Sequence, residues 1–205
     1  MLEYAENFIA GRIRFGTLES YRKREDKDSE RMDETEGIGI IKKPGEKLLV
    51  NTATRSIQVV PGIEELYVDT EPKNHFICCL TTCKAEEIEE FSKKFGCYCV
   101  VVHDPERLIK DISEAIAKDI GLSVNPPTLE HGMVRYDKGH QIGRELNRDE
   151  KIELPWRQKP SEYNAQKEYR LHFNFTSHEL IDSPKEYVIN IGDLLKYCEL
   201  IEVSL

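Results

Sequence analysis

Glu168-Tyr169-Arg170-Leu171-His172-Phe173-Asn174-Phe175 alternates without a break. Tyr169, Leu171, Phe173 and Phe175 fall on one side of an extended chain, and Glu168, Arg170, His172 and Asn174 on the other. A period of two is the mark of a β-strand, whose successive side chains leave on opposite faces. The apolar set predicts a face against a core. The polar set predicts either an outer face with cross-strand ion pairs or the lining of a cleft. In a cleft, Glu168 would serve as a base or bind hydroxyls, and Arg170 would bind an anion or orient Glu168. His172 shares their face, so it is the histidine expected nearest a site.

The partner expected for this strand lies far upstream. Ile13 to Gly37 begins as a strand-like run, Ile13-Arg14-Phe15-Gly16, with Thr17 as an N-cap for one turn through Tyr21. From Arg22 to Glu36, twelve of fifteen residues are charged, seven acidic and five basic. Most of that run reads as a solvated loop, where exposed ion pairs are worth ~0–1 kcal/mol each. Arg22 at its entry and Arg31, Asp33 and Glu36 at its exit form a more ordered pattern. An Arg just past a strand clamps a phosphate or carboxylate through its planar fork, and nearby carboxylates hold that fork. These four are candidate substrate-binding residues, expected to meet Glu168 and Arg170 at one polar site.

Between these ends, Ile38–Ile41, Leu48–Thr52 and Ser56–Val60 read as three short strands of an antiparallel meander, with turns at Pro44-Gly45 and Pro61-Gly62. His75–Thr81 and Cys97–His103 read as buried strands. Lys84–Lys94 and Glu106–Ile120 read as amphipathic helices, the second opened by Asp104-Pro105. Ile191 to Cys198 reads as a short helix, and Leu200–Val203 as the last strand. The sum is an α+β fold: mixed, largely antiparallel sheets of about eight or nine short strands with two main helices packed on them. At 205 residues the expectation is a single domain, 1–205, burying roughly 70% of its unfolded surface.

Composition removes several function classes. A net charge of −9 repels nucleic acid and anionic membrane surfaces, so neither is an expected partner. No stretch reaches the ~20 apolar residues of a membrane span, and Met1 to Glu6 has no basic, then apolar, leader pattern. The six cysteines include no C-x-x-C pair, so no metal site is expected, and the thiols are read as reduced in a cytoplasmic protein. Phosphate-binding glycine loops, a dinucleotide fingerprint and a serine-hydrolase elbow are all absent from the sequence.

Three sets of short blocks carry a resemblance. They are Phe15-Gly16-Thr17-Leu18-x-x-Tyr21-Arg22 with Arg31-x-Asp33-x-x-Glu36-Gly37; Phe76-Ile77-Cys78-Cys79-Leu80-Thr81 with Phe95-Gly96-Cys97-Tyr98-Cys99-Val100; and Lys159 followed by Gln166-Lys167-Glu168-Tyr169-Arg170. In that order the chain resembles a bacterial and phage domain-of-unknown-function family. The resemblance implies that the charged and Glu-x-Arg blocks form the polar site, with Lys159 among its binding residues; it implies no reaction. A more distant likeness is to ADP-ribosyltransferase-like folds, by analogy only. There Arg22 or Arg14 would hold a phosphate, and Glu168 would bind the ribose and polarise the glycosidic bond, with NAD as cofactor. The chain lacks the Ser-Thr-Ser strand and the early His-Gly-Thr or Tyr-Arg-Gly triplet of those folds.

Two functions follow as expectations. One is a cytoplasmic nucleotide-directed enzyme of bacterial or phage conflict, with Glu168 and Arg170 catalytic. The other is a non-enzymatic interaction module, a phage-encoded inhibitor or defence sensor, whose acidic surface suits a basic protein partner.

Overall fold

A computed structural model describes residues 2–22, 38–42, 48–51, 56–59, 65–69, 74–119, 127–136, 155–175 and 186–204. In chain order they form α1 (Leu2–Ile9), β1 (Arg12–Thr17), α2 (Leu18–Arg22), β2 (Ile38–Lys42), β3 (Leu48–Asn51), β4 (Ser56–Val59), β5 (Glu65–Asp69) and β6 (His75–Thr81). Then follow α3 (Ile88–Phe95), β7 (Tyr98–Val102), α4 (Pro105–Asp119), β8 (Glu130–Met133), β9 (Glu168–Asn174), β10 (Glu186–Asn190) and β11 (Cys198–Glu202). Short 3₁₀ turns occupy Ala85–Glu87, Pro155–Arg157 and Ser161–Gln166. The fold is α+β, and among the described residues every strand pair is antiparallel.

The main sheet has five strands in the order β10-β1-β6-β9-β8. His75–Thr81 is therefore the central strand, in agreement with its run of bulky apolar residues. The register sets Phe76 opposite Phe173, Cys78 opposite Leu171 and Ile13 opposite Ile189. Residues opposite one another in an antiparallel pair share a face. That face is the core: Ile13, Phe15, Phe76, Leu171 and Phe173 are fully buried, together with Leu108, Ile112 and Ile116 of α4.

The sequence accounts for α4. Asp104 accepts the backbone N–H of Arg107 at 2.9 Å, which satisfies one of the helix's open donors, and Pro105 needs no partner in the first turn. Leu108, Ile112 and Ile116 recur at spacings of four on the buried stripe, while Arg107–Asp111 and Lys110–Glu114 pair along the solvent side. The end of α1 depends on Gly11. Its φ of +79° is the left-handed region, and a Cβ there would lie 1.9 Å from the carbonyl oxygen of Gly192. The closeness lets Ile191 donate to the Gly11 carbonyl and Leu194 to that of Ile9.

Four expectations need correction. The meander is not one: β2 pairs with β5 and β3 with β4, a nested arrangement. β7, expected to be buried, has all five of its residues only half-buried and pairs with β11 in a two-stranded sheet. Residues 191–197 form a loop and a turn instead of a short helix. The described residues also hold eleven strands, more than the sequence suggested.

Candidate functional site

The polar face of β9 is not an outer face. Glu168, Arg170 and His172 are 9%, 0% and 2% exposed. What covers them is the segment 155–166, which crosses over this side of the sheet. Backbone bonds pin it: Arg135 donates to Arg157 C=O at 2.7 Å, and Lys159 donates to Arg135 C=O at 2.9 Å. Trp156, with Leu18 and Ile77, makes a second small core on this side.

Two glycines make the cover possible. Gly132 of β8 stands opposite Arg170, and a Cβ there would come within 2.7 Å of the Arg157 guanidinium carbon. Gly16 of β1 stands opposite Ile77, and a Cβ there would meet the Tyr21 ring at 2.9 Å. A larger residue at either place would lift a covering side chain off the sheet.

Beneath this cover, Glu168 is gripped from both sides. Lys159 Nζ donates to its Oε1 at 2.7 Å, and Arg170 Nε donates to its Oε2 at 2.7 Å. These are charge-assisted lengths. Arg170 also donates to the Trp156 carbonyl at 2.6 Å, and Lys159 donates to Gln166 Oε1 at 2.7 Å. The Glu168 backbone N–H donates to the Tyr136 hydroxyl at 2.7 Å. Burial pushes the Glu168 carboxyl up, but the Arg170 and Lys159 charges outweigh it, so its pKa ends below the usual carboxylate range. Tyr136 is pushed up to about 12, chiefly by burial, and remains a phenol. Glu168 is thus a permanent anion at neutral pH, suited to holding positive charge or accepting hydroxyls and poorly suited to taking a proton.

The turn into β9 is constrained as well. Lys167 has φ 47° and ψ 43°, left-handed for a non-glycine residue. Its carbonyl accepts both the N–H and the hydroxyl of Thr82, and its ammonium pairs with Glu87 just ahead of α3. Lys167 therefore ties β9 to the α3 side of the site.

A cleft of about 290 Å³ opens onto Lys159, Glu168 and Arg170. Its walls include Tyr21 of α2, Cys79 of β6, and Phe91 and Phe95, whose rings pair along α3 at 4.3 Å. Two larger hollows, of about 460 and 680 Å³, lie elsewhere. The first is lined by Arg107 and Lys196, both already engaged by Asp111. In the first hollow the Asp111 carboxylate is taken up by Arg107, Lys196 and Tyr197, whereas the smaller cleft has a carboxylate gripped by two buried cations at its floor.

Two residues along the same face sits a second polar group. His172 Nε2 lies 2.8 Å from Nδ1 of His75, and the Trp156 ring stacks on His172 at 4.5 Å and 13°. Glu130 Oε2 is 3.3 Å from His172 Nδ1, yet out of line for a hydrogen bond; that nitrogen and Trp156 Nε1 are buried without an aligned acceptor or donor. Burial holds His172 below the ordinary 6.5. Burial, then the neighbouring His172, lowers His75 to about 4, against a smaller opposing pull from Glu130. Both rings are therefore neutral in the fold at pH 7, and the unfolded chain binds more protons than the native one below pH 6.5. Stability is full above pH 6.5 and falls as the pH drops toward 4, by up to ~1.4 kcal/mol per pH unit for His75, with His172 acting in the same direction. Urea unfolding at pH 7.5, 6 and 5 measures this, and His75→Gln is expected to flatten the slope. An unchanged slope in that variant would mean the pair does not titrate as described.

The predicted site residues divide as follows. Glu168, Arg170 and Lys159 come together, and His172 lies beside them under the same Trp156. Arg22 closes α2, whose Tyr21 lines the cleft, but its side chain, like Arg31, Asp33 and Glu36, lies outside the described residues. Arg14 is exposed and paired with Glu186 at 2.6 Å toward the sheet edge, away from Glu168. Sequence reading missed Tyr136, Gln166, Cys79 and the aromatic wall. Cys79 had a usable signal: it alternates with Ile77 and Thr81 on β6, so pairing β6 with β9 places it opposite Arg170.

None of the six cysteines is in a disulfide, and among the described residues no group of three or more His, Cys, Asp or Glu is arranged to hold a metal. No described helix is long and apolar enough to cross a membrane.

No known protein family, curated protein or solved structure matches this chain. What the site does therefore rests on its geometry.

Proposed function

We propose that this chain is a nucleotide-directed protein that binds its ligand in the cleft over Lys159, Glu168 and Arg170. The observation that carries the reading is the buried triad itself: two cations around one carboxylate, beside a wall of aromatic rings. Such a floor attracts an anionic group, and such a wall takes a flat apolar one. A nucleotide offers both.

The enzymatic form of the reading assigns Glu168 the role of an ionised carboxylate that accepts ribose hydroxyls or steadies positive charge developing at the glycosidic carbon. This is the role that the ADP-ribosyltransferase-like analogy gives a late strand glutamate, with NAD as the donor. Arg170 and Lys159 hold that carboxylate in place. A full dinucleotide would need a second subsite from Arg22, Arg31, Asp33 and Glu36. The interaction-module alternative draws on that same charged segment, so the cleft favours the nucleotide reading. Cytoplasmic location, read from the cysteine usage, and a role in bacterial or phage conflict, read from the resemblance of the sequence blocks, belong to this proposal too.

Titration calorimetry of the intact chain against a panel of mono- and dinucleotides tests it. At least one should bind, and Lys159→Met should weaken that binding about tenfold or more while the fold is kept. Absence of heat across the panel, from protein with native circular dichroism, would sink the reading.

A further inference from the structure

The cleft is specific about size and charge. Its volume of about 290 Å³ stands at the bottom of the ~300–1,000 Å³ range of pockets that enclose drug-sized ligands. That is room for one ring system and one small polar group, and too little for two nucleotides. The charge at the floor is equally limited. Lys159 and Arg170 supply two positive charges, and Glu168 between them removes one. One elementary charge of attraction remains. A phosphate monoester at pH 7 carries about −1.5 to −2, so it would bring its surplus charge against the Glu168 carboxylate in a site where water screens little. The walls complete the constraint. Tyr21 is held over Gly16 on one side, and Phe91 and Phe95 stand one helical turn apart on α3 on another.

Resting on the proposed ligand site, we infer that the ligand is a compact, singly charged anion bearing one aromatic ring system. Its anionic group docks at Lys159 and Arg170, and its ring lies against Tyr21, Phe91 and Phe95. Two sources offer that chemistry: a mononucleotide whose phosphate is a diester, as in a cyclic nucleotide, and an aromatic carboxylate.

The test is a set of calorimetric titrations on the full chain with 3′,5′-cyclic AMP, AMP, NAD and indole-3-carboxylate. Cyclic AMP or indole-3-carboxylate is expected to bind about tenfold or more tighter than AMP and NAD. Preference for cyclic AMP supports both the inference and the nucleotide reading. Preference for indole-3-carboxylate supports the inference and displaces the nucleotide reading. Tighter binding of AMP or NAD overturns the inference and leaves the nucleotide reading standing; silence from all four overturns the inference, while the nucleotide reading falls only with silence across the wider nucleotide panel. Lys159→Met should abolish the discrimination by charge. Tyr21→Leu keeps apolar bulk on a half-buried position and removes only the ring, so it should weaken the preferred ligand several-fold. Undiminished binding in Tyr21→Leu would overturn the placement of the ring.

Discussion

Glu168→Ala is expected to cost about 3–5 kcal/mol of folding stability. The reason is what it leaves behind. The side chains of Lys159 and Arg170 are 4% and 1% exposed, and each loses its 2.7 Å partner. Two like charges, both almost wholly buried, then stand side by side at the floor of the cleft with no carboxylate between them. The triad as a whole contributes far less than this figure, because burying its three charges cost desolvation in the first place. The sign of the asymmetry can be measured. Lys159→Met leaves Glu168 still paired with Arg170, so it should cost clearly less than Glu168→Ala. Combining the two substitutions should cost less than the sum of the single effects, with a coupling of about 0.5–3 kcal/mol. Urea denaturation of the three variants provides the cycle. A loss under about 1 kcal/mol in Glu168→Ala would mean that the triad is hydrated. The wild-type acid limb carries a matching signature. Since the folded Glu168 carboxyl sits below its ordinary 4.5, its contribution is present above that pH and is lost as pH falls further.

Phe173→Ala is the second large effect, about 3–5 kcal/mol. Phe173 occupies the opposite face of the same strand and is fully buried. Its ring meets Phe15 at 5.0 Å, Phe76 at 5.3 Å, and Phe175 and Tyr187 at 5.7 Å each. It therefore joins β1, β6, β9 and β10 at one point, and truncation opens a void that four strands cannot collapse together. Phe173→Leu keeps most of the volume and should cost roughly 1–2 kcal/mol. Asn174→Ala, one residue along and exposed, should fall within about 0.5 kcal/mol of wild type. Equal losses at 173 and 174 would contradict the assignment of faces.

These two substitutions mark how far the sequence could be read. Alternation from Glu168 to Phe175 specified the strand and sorted its side chains into two sets, and both sets are where the period puts them. Alternation is silent on what covers each set. A polar set usually means solvent, yet here Trp156 and the segment around it close that side. That segment has no periodicity to announce it, only a lone Trp and Lys159-Pro160. The helix α4 was legible because its signals are local: an Asp cap, a Pro in the first turn and apolar residues every fourth position. Pairing was not legible, since a strand's pattern does not name its neighbour. β7 follows β6 and α3 in sequence but finds β11, and β2 passes over β3 to find β5. The contact between His75 and His172 spans 97 residues and comes from the β6–β9 register alone. The charged run that stood out most in the sequence, 22–36, falls almost wholly outside the described residues.

The cleft over the Lys159–Glu168–Arg170 triad is the proposed seat of the ligand. Cys79 reports on it directly, because this half-buried thiol lines the cleft opposite Arg170. Its alkylation by iodoacetamide, followed by mass spectrometry of the Cys79 peptide, can be timed with and without saturating ligand. Bound ligand should slow Cys79 several-fold while Cys97, outside the cleft lining, reacts at an unchanged rate. Calorimetric binding with no protection of Cys79 would place the ligand elsewhere and contradict the account.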